Sequence, residues 1–215
     1  MENQTVSSEA CCVVSCERPL DQTYWNNQYL ADATGWDLGE VSPPLQSYID
    51  QLTDKHLRIL IPGCGNTYEA EYLLQQGFDQ ITVIDISPKL VENLQEKFSG
   101  RTGIQIIEGD FFEHQGTYDL ILEQTFFCAI PPSRRKEYAE KMHALLLPGG
   151  RLVGLLFDRE FEHQGPPFGG CKCQYESIFD PYFEFHTFEK AHNSFHKRAG
   201  TELFINLVNK SSLQM

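Results

Sequence analysis

The sequence predicts an α/β fold: a mostly parallel sheet of about seven strands with helices on both faces and the last strand antiparallel. Three observations predict it. Short apolar runs recur at 57–61, 81–85, 104–107, 118–123 and 151–157. Most are separated by stretches with helical spacing and helix-end residues, as β-α-β units require. The chain has 215 residues with 41% hydrophobic content, enough for the core of one domain.

The elements follow in order. Residues 1–19 are small and polar with no sustained period, and read as a flexible tail; residues 20–215 form one domain. Tyr24, Trp25, Tyr29 and Trp36 crowd a short window that holds both tryptophans of the chain. Pro43-Pro44 then opens a stretch with Leu45, Tyr48, Ile49 and Leu52 at helical spacing. The first strand, 57–61, ends at Pro62-Gly63, and a helix over 68–76 stops before Gly77. After strand 81–85, Ser87-Pro88 supplies an N-cap and a first-turn proline for a helix reaching Phe98. Strands 104–107 and 118–123 follow. Ser133 can cap a helix to Leu147, stopped by Pro148-Gly149-Gly150. Strand 151–157 leads into a long Gly- and Pro-containing loop, 158–173, and weaker strands lie at 182–188 and 203–208.

Charge and composition narrow the function. Thirty acidic residues against 17 basic ones leave a net charge of −13, which opposes binding to nucleic acid or anionic lipid. The chain shows neither a membrane-length apolar run nor a signal-peptide pattern, so a cytoplasmic protein is expected. Seven cysteines at irregular spacing make a poor disulfide framework. Cys171-x-Cys173 is not the usual zinc-ligand spacing, and no metal is expected.

The motifs lie at successive strand ends. Pro62-Gly63-Cys64-Gly65 allows a sharp turn and close approach of backbone to a ligand at a helix N-terminus. A nicotinamide fingerprint would want glycine where Tyr68 stands, which disfavours an oxidoreductase, and the phosphate-loop lysine is also missing. A tight connection without a ligand is the other reading. Asp85 closes the second strand, where a carboxylate can accept both hydroxyls of a ribose. Asp110 and Phe111 follow the third strand, where they can meet the edge and face of a base. Each acid alone also reads as an ordinary strand-end or loop residue. Their order along the sheet is what points to a nucleoside-containing ligand.

These residues resemble class I S-adenosylmethionine-dependent methyltransferases, and within them the thiopurine S-methyltransferase-like family, which includes plant halide/thiol methyltransferases. The resemblance is carried by Trp25, Tyr29, Trp36-Asp37-Leu38-Gly39, Pro62-Gly63-Cys64-Gly65, Asp85-Ile86-Ser87, Gly109-Asp110-Phe111-Phe112, Phe126-Phe127-Cys128-Ala129-Ile130 and Gly165-Pro166-Pro167-Phe168. It covers roughly residues 20–208, one domain's worth.

It implies a Rossmann-like methyltransferase fold with S-adenosylmethionine as cofactor and S-adenosylhomocysteine as product. Gly63, Cys64 and Gly65 would line the methionine end. Asp85 would hold the ribose, with Ile86 against the adenine and Asp110 and Phe111 at its edge and face. Glu123 and Gln124 would touch the amino-acid end. Trp25, Tyr29 and Trp36 would close residues 20–40 over the cofactor as a lid, though plain packing of an N-terminal helix would use the same residues. Phe126, Phe127 and Phe168 would face the acceptor. Gln124 stands where thiopurine-methylating relatives have arginine and plant relatives tyrosine, and Phe168 replaces a tyrosine of the plant relatives. Neither thiopurine nor halide specificity therefore carries across.

The chemistry asks for little acid–base machinery, because the sulfonium already activates the methyl group. Arg135 and His163 are the candidate catalytic helpers, His163 as a base near neutral pH; each also reads as a solvated surface group. The expected activity is methyl transfer to a small thiol or other soft nucleophile by a monomer. The alternative is a domain that keeps the cofactor pocket without turnover.

Overall fold

The computed structural model describes residues 19–163 and 165–211. The expected tail, 1–19, falls almost wholly outside them. Seven strands form one sheet in the order β3-β2-β1-β4-β5-β7-β6. They are β1 (Ile59–Pro62), β2 (Ile81–Asp85), β3 (Ile104–Glu108), β4 (Tyr118–Gln124), β5 (Leu146–Phe157), β6 (Phe183–Lys190) and β7 (Glu202–Asn209). Strands β1 to β5 pair in parallel, and β7 runs antiparallel to both β5 and β6. The expected sheet is the observed one.

Alternate residues of each central strand serve opposite faces. Leu60, Ile84, Ile121 and Leu152 belong to the core under α5 (Arg135–Leu145) and α6 (Lys172–Phe179). Ile61, Val83, Leu122 and Val153 belong to the other core. That second core lies beneath α2 (Pro43–Ile49), α3 (Tyr68–Gln75) and α4 (Pro88–Lys97). Burial on both faces explains why these strands read as continuous apolar runs. The first helix, α1 (Gln22–Leu30), begins at Asp21, whose side chain accepts from Tyr24 N, and contributes no buried residue. It is held to α4 instead: Asn26 Oδ1 accepts from Lys89 N at 2.8 Å and Ser87 Oγ at 3.1 Å.

Three local readings change. Ser133 does not cap α5; residues Pro132–Arg134 form a 3-10 turn and the helix starts at Arg135 without a side-chain cap. Pro148-Gly149-Gly150 does not end a helix but lies within β5, where the register against β4 shifts between Tyr118 and Leu120. The extra residues are absorbed as a bulge, a place where proline and glycine are tolerated in a strand. The long loop ends early, because 172–179 form α6, with Tyr175 and Phe179 buried on its inner side. A two-residue apolar stripe in a short helix is too weak a period to see in sequence.

Candidate active site

A cavity of about 660 Å³ opens at the carboxyl ends of β1, β2 and β4. This is where ligands bind in open α/β sheets, because the strand order reverses there and the following helices diverge. Its floor is the turn after β1. Gly63 and Gly65 adopt φ of +53° and +52°, the left-handed region. A Cβ on Gly63 would sit 2.1 Å from the Phe126 ring, so glycine is required both by backbone conformation and by space.

Asp85 stands at the cavity wall, 7% exposed. Its Oδ1 accepts from Ser87 N at 3.0 Å and its Oδ2 from Gly65 N at 3.3 Å. Burial pushes its carboxyl up to about 6, against the lowering effect of the Ser87, Gly65 and Ile86 amides. Each oxygen keeps a lone pair for a ligand. After β3, Asp110 Oδ1 accepts from Phe112 N at 2.9 Å, leaving its second oxygen free among its side-chain contacts. Phe111, 4% exposed, packs edge-on against Phe126 with ring centres 5.3 Å apart.

The opposite wall is the segment 19–40. Trp36 meets Trp25 and Tyr29 edge-to-face at 5.7 and 5.8 Å. Burial raises the Tyr29 phenol well above its ordinary range, with Asp85 adding to the effect, so it stays neutral. The segment is tied to the sheet by Arg198, whose Nη2 donates to Trp36 O at 2.7 Å and whose Nη1 pairs with Glu202 at 3.4 Å.

Trp25, Tyr29, Trp36, Gly63, Cys64, Gly65, Asp85, Ile86, Asp110, Phe111, Gln124 and Phe126 all line this one cavity. The remaining candidates lie behind or beside it. Glu123 is fully buried; its Oε1 accepts from Phe126 N at 2.7 Å and Phe127 N at 2.9 Å, and its Oε2 from Tyr138 Oη at 2.5 Å. Burial pushes its carboxyl up to about 7. Its side chain shapes the turn that presents Phe126 and lies outside the cavity lining. Phe127 is buried against Tyr138 and Tyr175. Phe168 contributes backbone: its N donates to Cys128 O at 2.7 Å. Arg135 is 4% exposed, donates to the carbonyls of Phe168 and Gly169 at 3.2 and 3.0 Å, and lies over the Phe127 ring. It holds the 158–170 loop and does not face the cavity. Arg134 lines the cavity in its place, paired with Glu137 at 2.7 Å and stacked on Phe112. His163 is exposed and stacks on Phe161, outside the cavity lining.

The sequence reading missed Asp37, which lines the cavity and accepts from Asn66 Nδ2 and from Tyr68 Oη at 3.3 Å. Its place beside Trp36 was the available signal. Gln124 adds an unusual feature: both its Nε2 and Oε1 are buried without a partner. An amide orphaned in a cavity wall costs free energy until something fills the space.

The profile of the family described as thiopurine S-methyltransferase matches residues 20–211. The chain belongs to this family. A probable thiol methyltransferase 2 from Arabidopsis thaliana is 33% identical over 162 residues, covering 73% of this chain and 71% of that protein. A thiopurine S-methyltransferase from Vibrio cholerae is 27% identical over 177 residues, covering 74% and 81%. Among solved structures, a Burkholderia thailandensis 1,6-didemethyltoxoflavin-N1-methyltransferase with bound S-adenosylhomocysteine superposes with a TM-score of 0.71 at 16% identity, covering 88% of this chain and 87% of that one. This member of the thiopurine S-methyltransferase family is an S-adenosylmethionine-dependent methyltransferase.

The residues present fit that cofactor. The Gly63–Gly65 turn brings bare backbone to the cavity floor under the Phe126 ring, where the amino-acid end of the cofactor would have room to approach, and Gln124 offers an unpaired amide in the same lining. Asp85 offers free acceptor capacity to ribose hydroxyls. The Trp25, Tyr29 and Trp36 rings suit a sulfonium, whose charge an aromatic face attracts by about 0.5–2 kcal/mol. Among the described residues, no helix is long and apolar enough to cross a membrane, and no group of three or more His, Cys, Asp or Glu side chains is placed to hold a metal ion.

Proposed function

We infer that the protein methylates a small thiol or comparable soft nucleophile. The observation that carries this reading is one wall of the cavity. Phe112, Phe126, Ile130, Pro131, Pro166 and Pro167 make it apolar, with Arg134 stacked on Phe112 as its one cation, and among the described residues no histidine or lysine lines the cavity. Bound S-adenosylmethionine supplies a methyl group already activated for in-line displacement. The chain's task is then to orient the acceptor and exclude water. A polarizable sulfur is more easily stripped of water than an oxygen or amine, so an apolar wall favours it. The Cys64 and Cys128 thiols, both raised by burial, the latter to about 12, stay protonated and do not compete as nucleophiles. The relatives named as thiol, thiocyanate and thiopurine methyltransferases support the same class of acceptor. Within this reading Asp85 holds the ribose, residues 20–40 form the lid, and the protein works as a monomer on small molecules. The net charge of −13 supports exclusion of nucleic acid, and the odd number of seven cysteines supports a reducing compartment such as the cytoplasm.

The test is a pH–rate profile over thiols of graded acidity. The apparent pKa is expected to follow the acceptor, about 8.5 for a cysteine-like thiol and lower for more acidic ones. A single pKa shared by every thiol would assign the titration to a protein base. Methylation of amines or alcohols with no turnover of any thiol would overturn the reading.

A further inference from the structure

Outside the cavity, one pair of nucleophilic side chains has no part in the site described above. Cys171, half-buried, and Cys173, exposed, are free thiols whose sulfurs lie 2.6 Å apart. We propose that Cys171 and Cys173 are a redox-active dithiol that closes to an intramolecular disulfide by exchange with a low-molecular-weight disulfide.

Three features of the structure carry this. The two thiols already face each other, so ring closure asks for no rearrangement of the fold. Cys171 is the N-cap of α6, in an extended conformation, where the Gln174 N–H donates to the Cys171 carbonyl at 3.1 Å and lies close to its sulfur. A thiol placed there is favoured as thiolate, because amide donors and the positive end of the helix dipole both stabilise the anion. Its pKa is accordingly lowered, first by the Cys173 thiol and then by the Gln174 amide. The pair also differs from Cys64 and Cys128 in access: those two are buried and held protonated, whereas Cys171 and Cys173 are reachable from solvent, Cys173 being the partner that Cys171 holds in the thiol form.

The exchange balances as follows. The Cys171 thiolate attacks one sulfur of a disulfide RSSR, the S–S bond breaks, and RS⁻ leaves and takes up a proton. Cys173 gives up its proton and attacks the Cys171 sulfur of the mixed disulfide, expelling the second RS⁻. The protein pair is oxidised by two electrons, and RSSR is reduced to two RSH. The pair sits where the loop carrying Pro166 and Pro167 rejoins the fold: Gly170 bridges to Arg159, and Lys172 N donates to Asp158 Oδ1 at 3.2 Å.

The experiment equilibrates the full-length protein in buffers of graded reduced-to-oxidised glutathione ratio, followed by acid quench, alkylation and tryptic digestion without reductant. Trypsin cuts after Arg159, Lys172 and Lys190, so Cys171 and Cys173 fall on different peptides. The expected product at oxidising ratios is peptides 160–172 and 173–190 joined, or an uncut 160–190 peptide lighter by two hydrogen atoms. Cys173→Ser is expected to trap glutathione on Cys171. The proposal is overturned if both thiols are alkylated at every ratio, or if they remain as stable glutathione adducts. Bridging to Cys11, Cys12, Cys16 or a second molecule, or a Cys173→Ser protein that leaves Cys171 unmodified, overturns it as well.

Discussion

Replacing Asp85 by asparagine separates its charge from its shape. In the structure each carboxylate oxygen accepts one backbone N–H, from Ser87 and from Gly65, and has capacity left toward the cavity. Asparagine keeps the oxygen that Ser87 needs but turns a donor toward Gly65 and removes the negative charge. A charge-assisted hydrogen bond is worth about 1.5–3 kcal/mol, so losing the ribose contacts should weaken S-adenosylhomocysteine binding by roughly ten- to a hundred-fold. Asp85→Ala should do the same and also lower the melting temperature, because it strands the buried Ser87 N–H.

The pH dependence supplies an independent check. Burial raises the carboxyl from 3.8 to about 6, and the ionised form is the acceptor. Affinity in the native protein is therefore full above about pH 7, roughly halved at pH 6 and lower by about tenfold near pH 5. Stability of the cofactor-free protein has the opposite sign. The folded state holds the proton more tightly than the unfolded chain, so this group destabilises the fold increasingly as pH rises from 3.8 to about 6. Titration calorimetry across this range, on the native protein and Asp85→Asn, reads the affinity, and thermal melts of the two cofactor-free proteins read the stability. The reasoning fails if the variant binds within about threefold of the native protein, or if it keeps the same loss of affinity at low pH.

Other consequences follow from the same geometry. Both tryptophans of the chain lie in the 20–40 wall, so saturating S-adenosylhomocysteine should change tryptophan emission; a flat signal with calorimetrically confirmed binding would show that the wall does not respond to the cofactor. Gly63→Ala drives a Cβ into the Phe126 ring and strains a φ of +53°, and should weaken cofactor binding by more than about tenfold; normal affinity would mean that the ring moves aside freely. Glu123→Ala strands the Phe126 and Phe127 amides and should cost about 2–4 kcal/mol in denaturant unfolding. Glu123→Gln retains the shape without the titration. Because burial raises Glu123 from 4.5 to about 7, the native protein should lose stability relative to this variant as pH rises through that window; parallel melts at pH 5 and pH 8 would contradict it.

The sheet and its cavity-bearing edge were legible in the chain because both are local. A central parallel strand is a short apolar run whatever its neighbours, and its end is marked by the residue that turns there or lines the cavity: Gly63 after β1, Asp85 at the end of β2, Asp110 after β3. Cysteine placement, charge and aromatic clustering likewise needed no coordinates. Residues whose role depends on which side of a turn they face were not legible. Glu123 and Gln124 are adjacent in sequence and both polar, yet the pleat of β4 sends Glu123 into the core to hold two amides and leaves Gln124 at the cavity wall. Arg134 and Arg135 differ in the same way: one lines the cavity, while the other is buried against carbonyls of a loop more than thirty residues away. Arg198, which anchors the Trp36 segment from 162 residues further along, has no local signal at all. Strand period and turn chemistry are written in neighbouring residues. The facing of a single side chain, and the distant backbone that it holds, exist only once β-α units have packed against one another.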